Sequence, residues 1–197
     1  MKTTRAEIAE AALHLMAENG YRGASIGAIE QAVGLAPRAG GFYRHFKNKE
    51  EILFQAMDAY AEEILTELED LKTIPAGTAH EELIWITRHV VDHAARHRNL
   101  RLVLRRDGRN LPRVRERIRA FNQGDAWDIF VEWTRKQLGR KRIDQSVKQH
   151  TFLIFSTLAL ILYLQDYGEH PLKLDQDDVL EHWVARSIDY LEKFVGK

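Results

Sequence analysis

The sequence predicts an all-α protein of about nine helices: three short ones forming an N-terminal head, a long fourth, and a larger C-terminal bundle. Three observations carry this. Apolar residues recur at helical spacing through almost the whole chain, as Ile8, Ala12, Leu15 and Met16 do in the first segment. The prolines, Pro37, Pro75, Pro112 and Pro171, all fall between such segments, where a missing N–H and a fixed φ do least harm. No alternating, β-branched run bounded by turn residues reads as a strand.

The first helix is expected over Thr4–Asn19. Gly20 ends it, because glycine tolerates the left-handed turn that follows a helix. Ser25 starts the second, with Ile26, Ile29 and Val33 apolar and Gly34 as its stop. A third, short segment covers about Pro37–Phe46. Asn48 caps the long fourth helix, which runs to about residue 71. Glu50 and Glu51 lie in its first turn, where carboxylates favour the positive end of the helix dipole. Ile74-Pro75-Ala76-Gly77 is the clearest hinge. Beyond it, helices are expected over about 78–96, 99–106, 112–138, 145–167 and 175–195. Gly124 lies inside the seventh of these, at a cost of about 1 kcal/mol relative to alanine, and marks a kink or a close contact.

Composition removes several function classes. The 197 residues are 45% hydrophobic and 29% charged, an ordinary globular balance with room for a core. The absence of cysteine excludes a disulfide framework, a thiol nucleophile and any Cys-based metal site. The longest apolar run, Phe152–Leu164, is interrupted by Ser156 and Thr157 and is shorter than the roughly 20 residues that span a bilayer. The expectation is a cytoplasmic protein with no membrane partner. None of the histidines follows a glutamate by three residues, as a di-iron bundle would need, and no Gly-x-Ser-x-Gly elbow occurs. No enzyme, catalytic residue or cofactor is expected. His89, His93 and His97 share a helix face at a spacing that can bind metal, but with no cysteine and only Asp92 nearby the expectation is no metal site.

The formal net charge is zero, yet the chain is banded. Residues 1–49 carry +3, 50–95 carry −9, 96–148 carry +10 and 149–197 carry −4. Sign asymmetry between segments is itself a clue to partners. The +10 band holds ten arginines between Arg96 and Arg119, opposed there only by Asp107 and Glu116. Three readings stand: a solvated face paired with the acidic band, long-range attraction to DNA, or an anionic effector.

Helix, glycine turn, helix, tight turn and short third segment is the layout of a helix-turn-helix, which sends one helix into the major groove and crosses the backbone with another. Ala39, Gly40 and Gly41 are small enough for close backbone approach, and Arg38, Tyr43, Arg44, His45, Lys47 and Lys49 are donors able to reach phosphates or base edges.

The run Gly34-Leu35-Ala36-Pro37-Arg38-Ala39-Gly40-Gly41-Phe42-Tyr43-Arg44-His45-Phe46-Lys47-Asn48-Lys49-Glu50-Glu51-Ile52-Leu53 resembles the recognition-helix signature of TetR-family transcriptional regulators. The preceding Ser25-Ile26-x-x-Ile29 is similar to that family's second helix, and the close resemblance covers about residues 5–55. The stretch from Gly34 to Tyr43 is two residues longer than the commonest family form and contains Pro37-Arg38. The resemblance implies a ligand-responsive DNA-binding regulator, a repressor that holds a near-palindromic double-stranded operator as a homodimer and is released by a small-molecule effector, apolar or anionic. The other reading is an all-helical dimer with a metal- or ligand-binding role that has lost DNA binding.

Carried over residue by residue, the resemblance implies phosphate contacts from Ser25, Tyr43, Lys49 and His45, and base contacts from Arg38 and Arg44, with Pro37, Ala39, Gly40 and Gly41 completing the DNA-facing stretch. Residues 1–49 would be the DNA-binding domain, the helix over 48–71 the connection, and residues 76–197 the effector-binding and dimerisation domain. The aromatic candidates for the effector pocket are Trp85, His89, Phe121, Trp127, Phe130, Trp133, Phe152 and Tyr163. The apolar stripes of the last two helices, with Phe155, Leu158, Leu162, Leu180, Trp183, Val184, Ile188 and Leu191, read either as monomer core or, as the resemblance implies, as a four-helix dimer interface.

Overall fold

The computed structural model describes residues 4–71, 74, 77–121, 125–166 and 175–193. Among these are the helices α1 (Arg5–Gly23), α2 (Ile26–Ala32), α3 (Lys49–Leu71), α4 (Ala79–Arg96), α5 (Arg98–Asp107), α6 (Pro112–Phe121), α7 (Asp125–Gln137), α8 (Gln145–Gln165) and α9 (Gln176–Glu192), and no strand. Single 3-10 turns occur at Phe42–Arg44 and Gly108–Asn110.

Three elements differ from the expectation. The segment expected over Pro37–Phe46 is a loop with one 3-10 turn at Phe42–Arg44, because Arg38 and Gly40 both take positive φ and cannot continue a helix. The expected seventh helix is two helices, α6 and α7, with Gly124 outside the described residues. Gly20 does not end α1 but breaks it: its φ is +84°, and one further turn follows to Gly23.

The chain forms two compact units, Met1–Ile64 with His97–Gln123, and Leu65–Arg96 with Gly124–Lys197. Residues 97–123, placed by the sequence reading with the C-terminal domain, therefore pack with the head. The reason is visible in the first unit's core. Ile8, Ala12 and Met16 of α1, Ile29 of α2, Phe42 and Phe46 of the loop, and Ile52, Leu53 and Met57 of α3 are buried together with Leu100, Val103 and Val114 of α5 and α6. Burying one such side chain fully stabilises by roughly 1.5–3 kcal/mol, so α5 and α6 are integral to this core. The start of α1 is fixed by a reciprocal cap: Glu7 N–H donates to Thr4 Oγ1 at 3.2 Å and Thr4 N–H to Glu7 Oε2 at 2.7 Å.

The second unit is built on α4, α7, α8 and α9. Its core holds Leu83, Ile86, Trp133, Phe155, Leu158, Leu180, Trp183, Val184 and Leu191. Phe155 is central: its ring stacks on Phe130 at 3.8 Å and meets Trp133 and Trp183 edge-on at 6.3 and 5.9 Å. Glu82 is buried beside this core, where its carboxylate accepts from Trp133 Nε1 at 3.0 Å, Gln137 Nε2 at 2.6 Å and Lys136 Nζ at 3.1 Å. Asp144 caps α8 by accepting from Val147 N–H at 2.9 Å, and Asp175 caps α9 through Asp177 and Asp178.

This packing changes the reading of the interface stripe. Phe155, Leu158, Leu180, Trp183, Val184 and Leu191 are buried within one chain, and Leu162 and Ile188 are half-buried. A side chain already covered in the monomer cannot supply the face that a second copy covers. The opposite face of α8 is the exposed one, with Phe152 at 53%, Leu153 at 61%, Leu160 at 54% and Tyr163 at 39% exposure. The stretch Gln145–Leu164 is, by length and composition alone, long and apolar enough to cross a membrane, which the interrupted run in the sequence did not suggest.

Candidate nucleic-acid interface

The loop between α2 and α3 is organised by a residue that the sequence reading passed over. Glu30, in the last turn of α2, is 1% exposed. Its Oε2 accepts from Arg38 N–H at 2.7 Å and its Oε1 from Phe42 N–H at 3.0 Å. A buried carboxylate is tolerated only when hydrogen-bonded, and here the loop backbone supplies the donors. The two contacts fold the extra residues into a compact turn. Within it, a Cβ on Gly41 would lie 2.9 Å from Leu35 Cδ1, so a larger residue there would displace the Leu35 side chain.

The turn then sorts its side chains by face. Phe42 and Phe46 point into the core, 5.8 Å apart between ring centres. Tyr43 lies between them in sequence and is turned out, 61% exposed, its ring edge-on to Phe42. Pro37, Arg38, Ala39 and Arg44 are exposed, and Gly40, Gly41 and His45 are half-buried. Ser25 is exposed and caps α2, its oxygen accepting from Ala28 N–H at 3.1 Å. Its O–H is still able to donate. One loop thus brings Arg38, Tyr43 and Arg44 to the outside while Glu30 and two phenylalanines anchor it from within.

Lys49 behaves differently from the expectation. Its ammonium donates to Ala24 O at 2.7 Å and to Tyr21 O, and lies 4.5 Å from the centre of the Tyr21 ring. Burial pulls its pKa below the usual lysine value, with the nearby Asp107 charge acting the other way. Two of its three donors are therefore spent inside the head, tying the end of α1 to the start of α3.

Two further clamps carry no sequence signal beyond a charged residue at a helix end. Arg5, in the first turn of α1, donates to the His45 carbonyl, to Glu51 at 2.8 Å and to Gln55 at 3.3 Å, with its guanidinium 4.1 Å from the centre of the Phe46 ring. Glu51 also accepts from Lys47 N–H at 2.7 Å. That backbone hydrogen bond, then Arg5, hold the Glu51 carboxyl below the ordinary carboxylate range. At the other end of α1, Arg106 donates to the carbonyls of Met16 and Glu18, and Asp107 accepts from Tyr21 N–H at 2.9 Å. The break at Gly20 is where α5 takes over the capping of α1.

The arginine band is in part paired with the acidic band. Arg113 meets Glu50 at 3.0 Å and Arg117 pairs with Asp58, both joining α6 to α3.

The aromatic candidates for an effector pocket are dispersed. Trp85 and His89 stack on each other along α4 at 3.7 Å, and His89 Nδ1 lies 2.9 Å from the Trp85 carbonyl. Phe130 and Trp133 belong to the core just described, and Phe152 and Tyr163 lie on the exposed face of α8. The side chains of Phe121 and Trp127 lie outside the described residues.

Residues 8–56 match the model of the bacterial regulatory proteins of the tetR family. No curated protein matches the chain. Among solved structures, one from Mesorhizobium loti assigned to the TetR family of transcriptional regulators is 17% identical with a TM-score of 0.67, over 95% of this chain and 94% of that one. A second such regulator, from Syntrophomonas wolfei, is 19% identical with a TM-score of 0.62 over the same shares. The transcriptional regulator FadR of Bacillus subtilis, solved in complex with stearoyl-CoA, is 26% identical with a TM-score of 0.58 over 98% of both chains. In the head the chain is thus similar in sequence to the tetR family of bacterial regulatory proteins, and over nearly its whole length it shares the fold of these solved transcriptional regulators.

Proposed function

We propose that the protein is a repressor that binds a near-palindromic operator as a homodimer and is released by a small-molecule effector. The observation that carries this reading is the stapled loop, which holds Arg38, Tyr43 and Arg44 outward on a backbone fixed by Glu30. Preorganised donors lose little entropy on binding. In this reading Tyr43, Ser25 and His45 hold phosphates, Arg38 and Arg44 read base edges, and Pro37, Ala39, Gly40 and Gly41 allow close approach. Lys49 gives its third N–H to a phosphate after its two internal contacts. A bidentate arginine–guanine pair supplies roughly 1–3 kcal/mol of discrimination.

Two heads related by a two-fold axis would read the two half-sites. The apolar outer face of α8, with Phe152, Leu153, Leu160 and Tyr163, supports pairing of two copies there. The effector is a small molecule of apolar or anionic character, in keeping with the stearoyl-CoA found in the Bacillus subtilis neighbour.

The test is selection of double-stranded DNA from a random pool, followed by titration at several salt concentrations. Each lost lysine or arginine contact to a phosphate should flatten the salt dependence by about one unit of slope. Tyr43→Ala, which removes an uncharged donor, should weaken binding to all sequences with the slope unchanged, and Arg44→Ala should relax the preferred sequence. Binding as tight as wild type in both variants would remove the site from consideration. A chain that binds no DNA, or binds without salt dependence, would instead be a helical dimer with a ligand-binding role alone.

A further inference from the structure

We infer that the cavity walled by α3, α5 and α6 is a binding site for an amphipathic anion, a molecule with an apolar body and one anionic headgroup. Binding stands on the geometry of the first unit alone; only its consequence for DNA rests on the regulator reading above.

The cavity has a volume of 660 Å³. Small-molecule sites span about 300–1,000 Å³. Its floor is apolar, made by Met57 and Ala61 of α3, Leu100 and Leu104 of α5, and Ile118 of α6. Its charged lining is three guanidinium groups, Arg101, Arg105 and Arg117, against one carboxylate, Asp58. Arg117 pairs with Asp58, and its guanidinium carbon lies 5.6 Å from the centre of the Phe54 ring. The remaining two, Arg101 and Arg105, stand one turn apart on α5. Like charges at that spacing cost a helix roughly 0.2–0.5 kcal/mol, and an anion between them reverses the sign. Both also have contacts within the protein. A guanidinium carries five N–H donors, enough to keep those contacts and add a headgroup.

The lining also says what is refused. A cation meets the arginines. A neutral apolar molecule fills the floor but desolvates the guanidinium groups with no acceptor in return, which is unfavourable. A small inorganic anion satisfies the arginines and leaves the floor uncovered. Only a ligand with both parts uses both surfaces. Tyr60, also in the lining, is held in place from behind: its ring is edge-on to His97 at 5.0 Å, and His97 Nε2 lies 2.8 Å from Glu63.

The position gives the site a consequence. Arg105 is followed by Arg106 and Asp107, the pair that holds the end of α1. A headgroup drawn to Arg101 and Arg105 therefore pulls on the helix that seats the DNA-facing head.

The experiment uses the full chain with the fluorescent carboxylate cis-parinaric acid, displaced by stearate, stearoyl-CoA or the neutral stearyl alcohol. Saturable binding is expected, with the alcohol at least about tenfold weaker than the better anion, the size of one lost charge-assisted contact. Stearate and stearoyl-CoA separate a free carboxylate from a phosphate-bearing headgroup. The double variant Arg101→Gln, Arg105→Gln should lose about tenfold or more for the anions and leave the alcohol unchanged. Ala61→Phe, which fills the floor, should weaken all three. No saturable binding to the wild type, or wild-type affinity for the anions in the double variant, overturns the site. Should Ala61→Phe not fold, the arginine variant decides alone. DNA binding of the same samples without ligand separates the two readings: a chain that binds the probe but no DNA sinks the regulator, and one that binds DNA but no probe sinks the site.

Discussion

Among the described residues each unit buries one glutamate beside its core, Glu30 and Glu82, and the two carboxylates solve different problems. Glu30 accepts from backbone N–H groups only 8 and 12 residues ahead in the chain. Glu82 accepts from side chains 51 to 55 residues away, on α7. The first sets the shape of a loop, whatever side chains that loop carries. The second fixes how two helices pack and needs particular partners. A buried acceptor for backbone is a device for presenting variable side chains, and a buried acceptor for side chains is a device for holding a core.

The contrast can be broken by mutation. Glu30→Ala leaves the N–H groups of Arg38 and Phe42 without their acceptor. Hydrogen bonds to a charged group are worth about 1.5–3 kcal/mol each, so operator affinity should fall by roughly two orders of magnitude or more. Measured by titration of selected DNA, near-wild-type affinity would show that the loop keeps its shape unaided. Glu82→Ala should instead lower the thermal midpoint, by a loss of about 1–3 kcal/mol for the stranded Trp133 N–H, and shift the tryptophan emission. DNA affinity of the folded fraction should hardly change. Lys136 is well exposed, so its share of this loss is small. Equal effects of both glutamates on DNA affinity would erase the distinction.

The smallest effect is expected from acid. The Glu51 carboxyl in the first unit is lowered by Lys47 N–H and Arg5, and the Glu81 carboxyl in the second by Thr78. A carboxyl lowered in the fold contributes stability above its unfolded pKa, and that contribution is lost as pH falls through the folded pKa. Urea unfolding followed from about pH 6 downward, through the ordinary carboxylate range near 4, should show both units weakening. Glu51→Gln should flatten the response of the first unit only.

Much of the helical layout was legible because periodicity and glycine or proline punctuation are local signals. The starts at Ser25, Asn48 and Asp175 follow from cap chemistry, and the outward Tyr43 between two buried phenylalanines follows from the aromatic spacing. What escaped depends on the fold. Glu30 reads as a surface residue in a helix, and only the loop folding back over it makes it an acceptor. Lys49 reads as a phosphate ligand, yet the carbonyls it binds come from α1. The apolar stripe of α8 was recognisable, but a helix apolar on more than one side does not say which side faces its own chain. Residues 97–123 read as part of the C-terminal bundle because nothing in their own pattern records that Leu100, Val103 and Val114 pack on α1 and α3.

The dependence of α1 on α5 has a further consequence. The segment that matches the family model ends at residue 56, while the caps for Met16 O, Glu18 O and Tyr21 N–H come from Arg106 and Asp107. Excised at that boundary, the head would lose part of its core together with those partners. The unit of homology is thus smaller than the unit of folding. Amide exchange at the end of α1 should report the opening of α5, so protection there follows the larger unit and not the segment that defines the family.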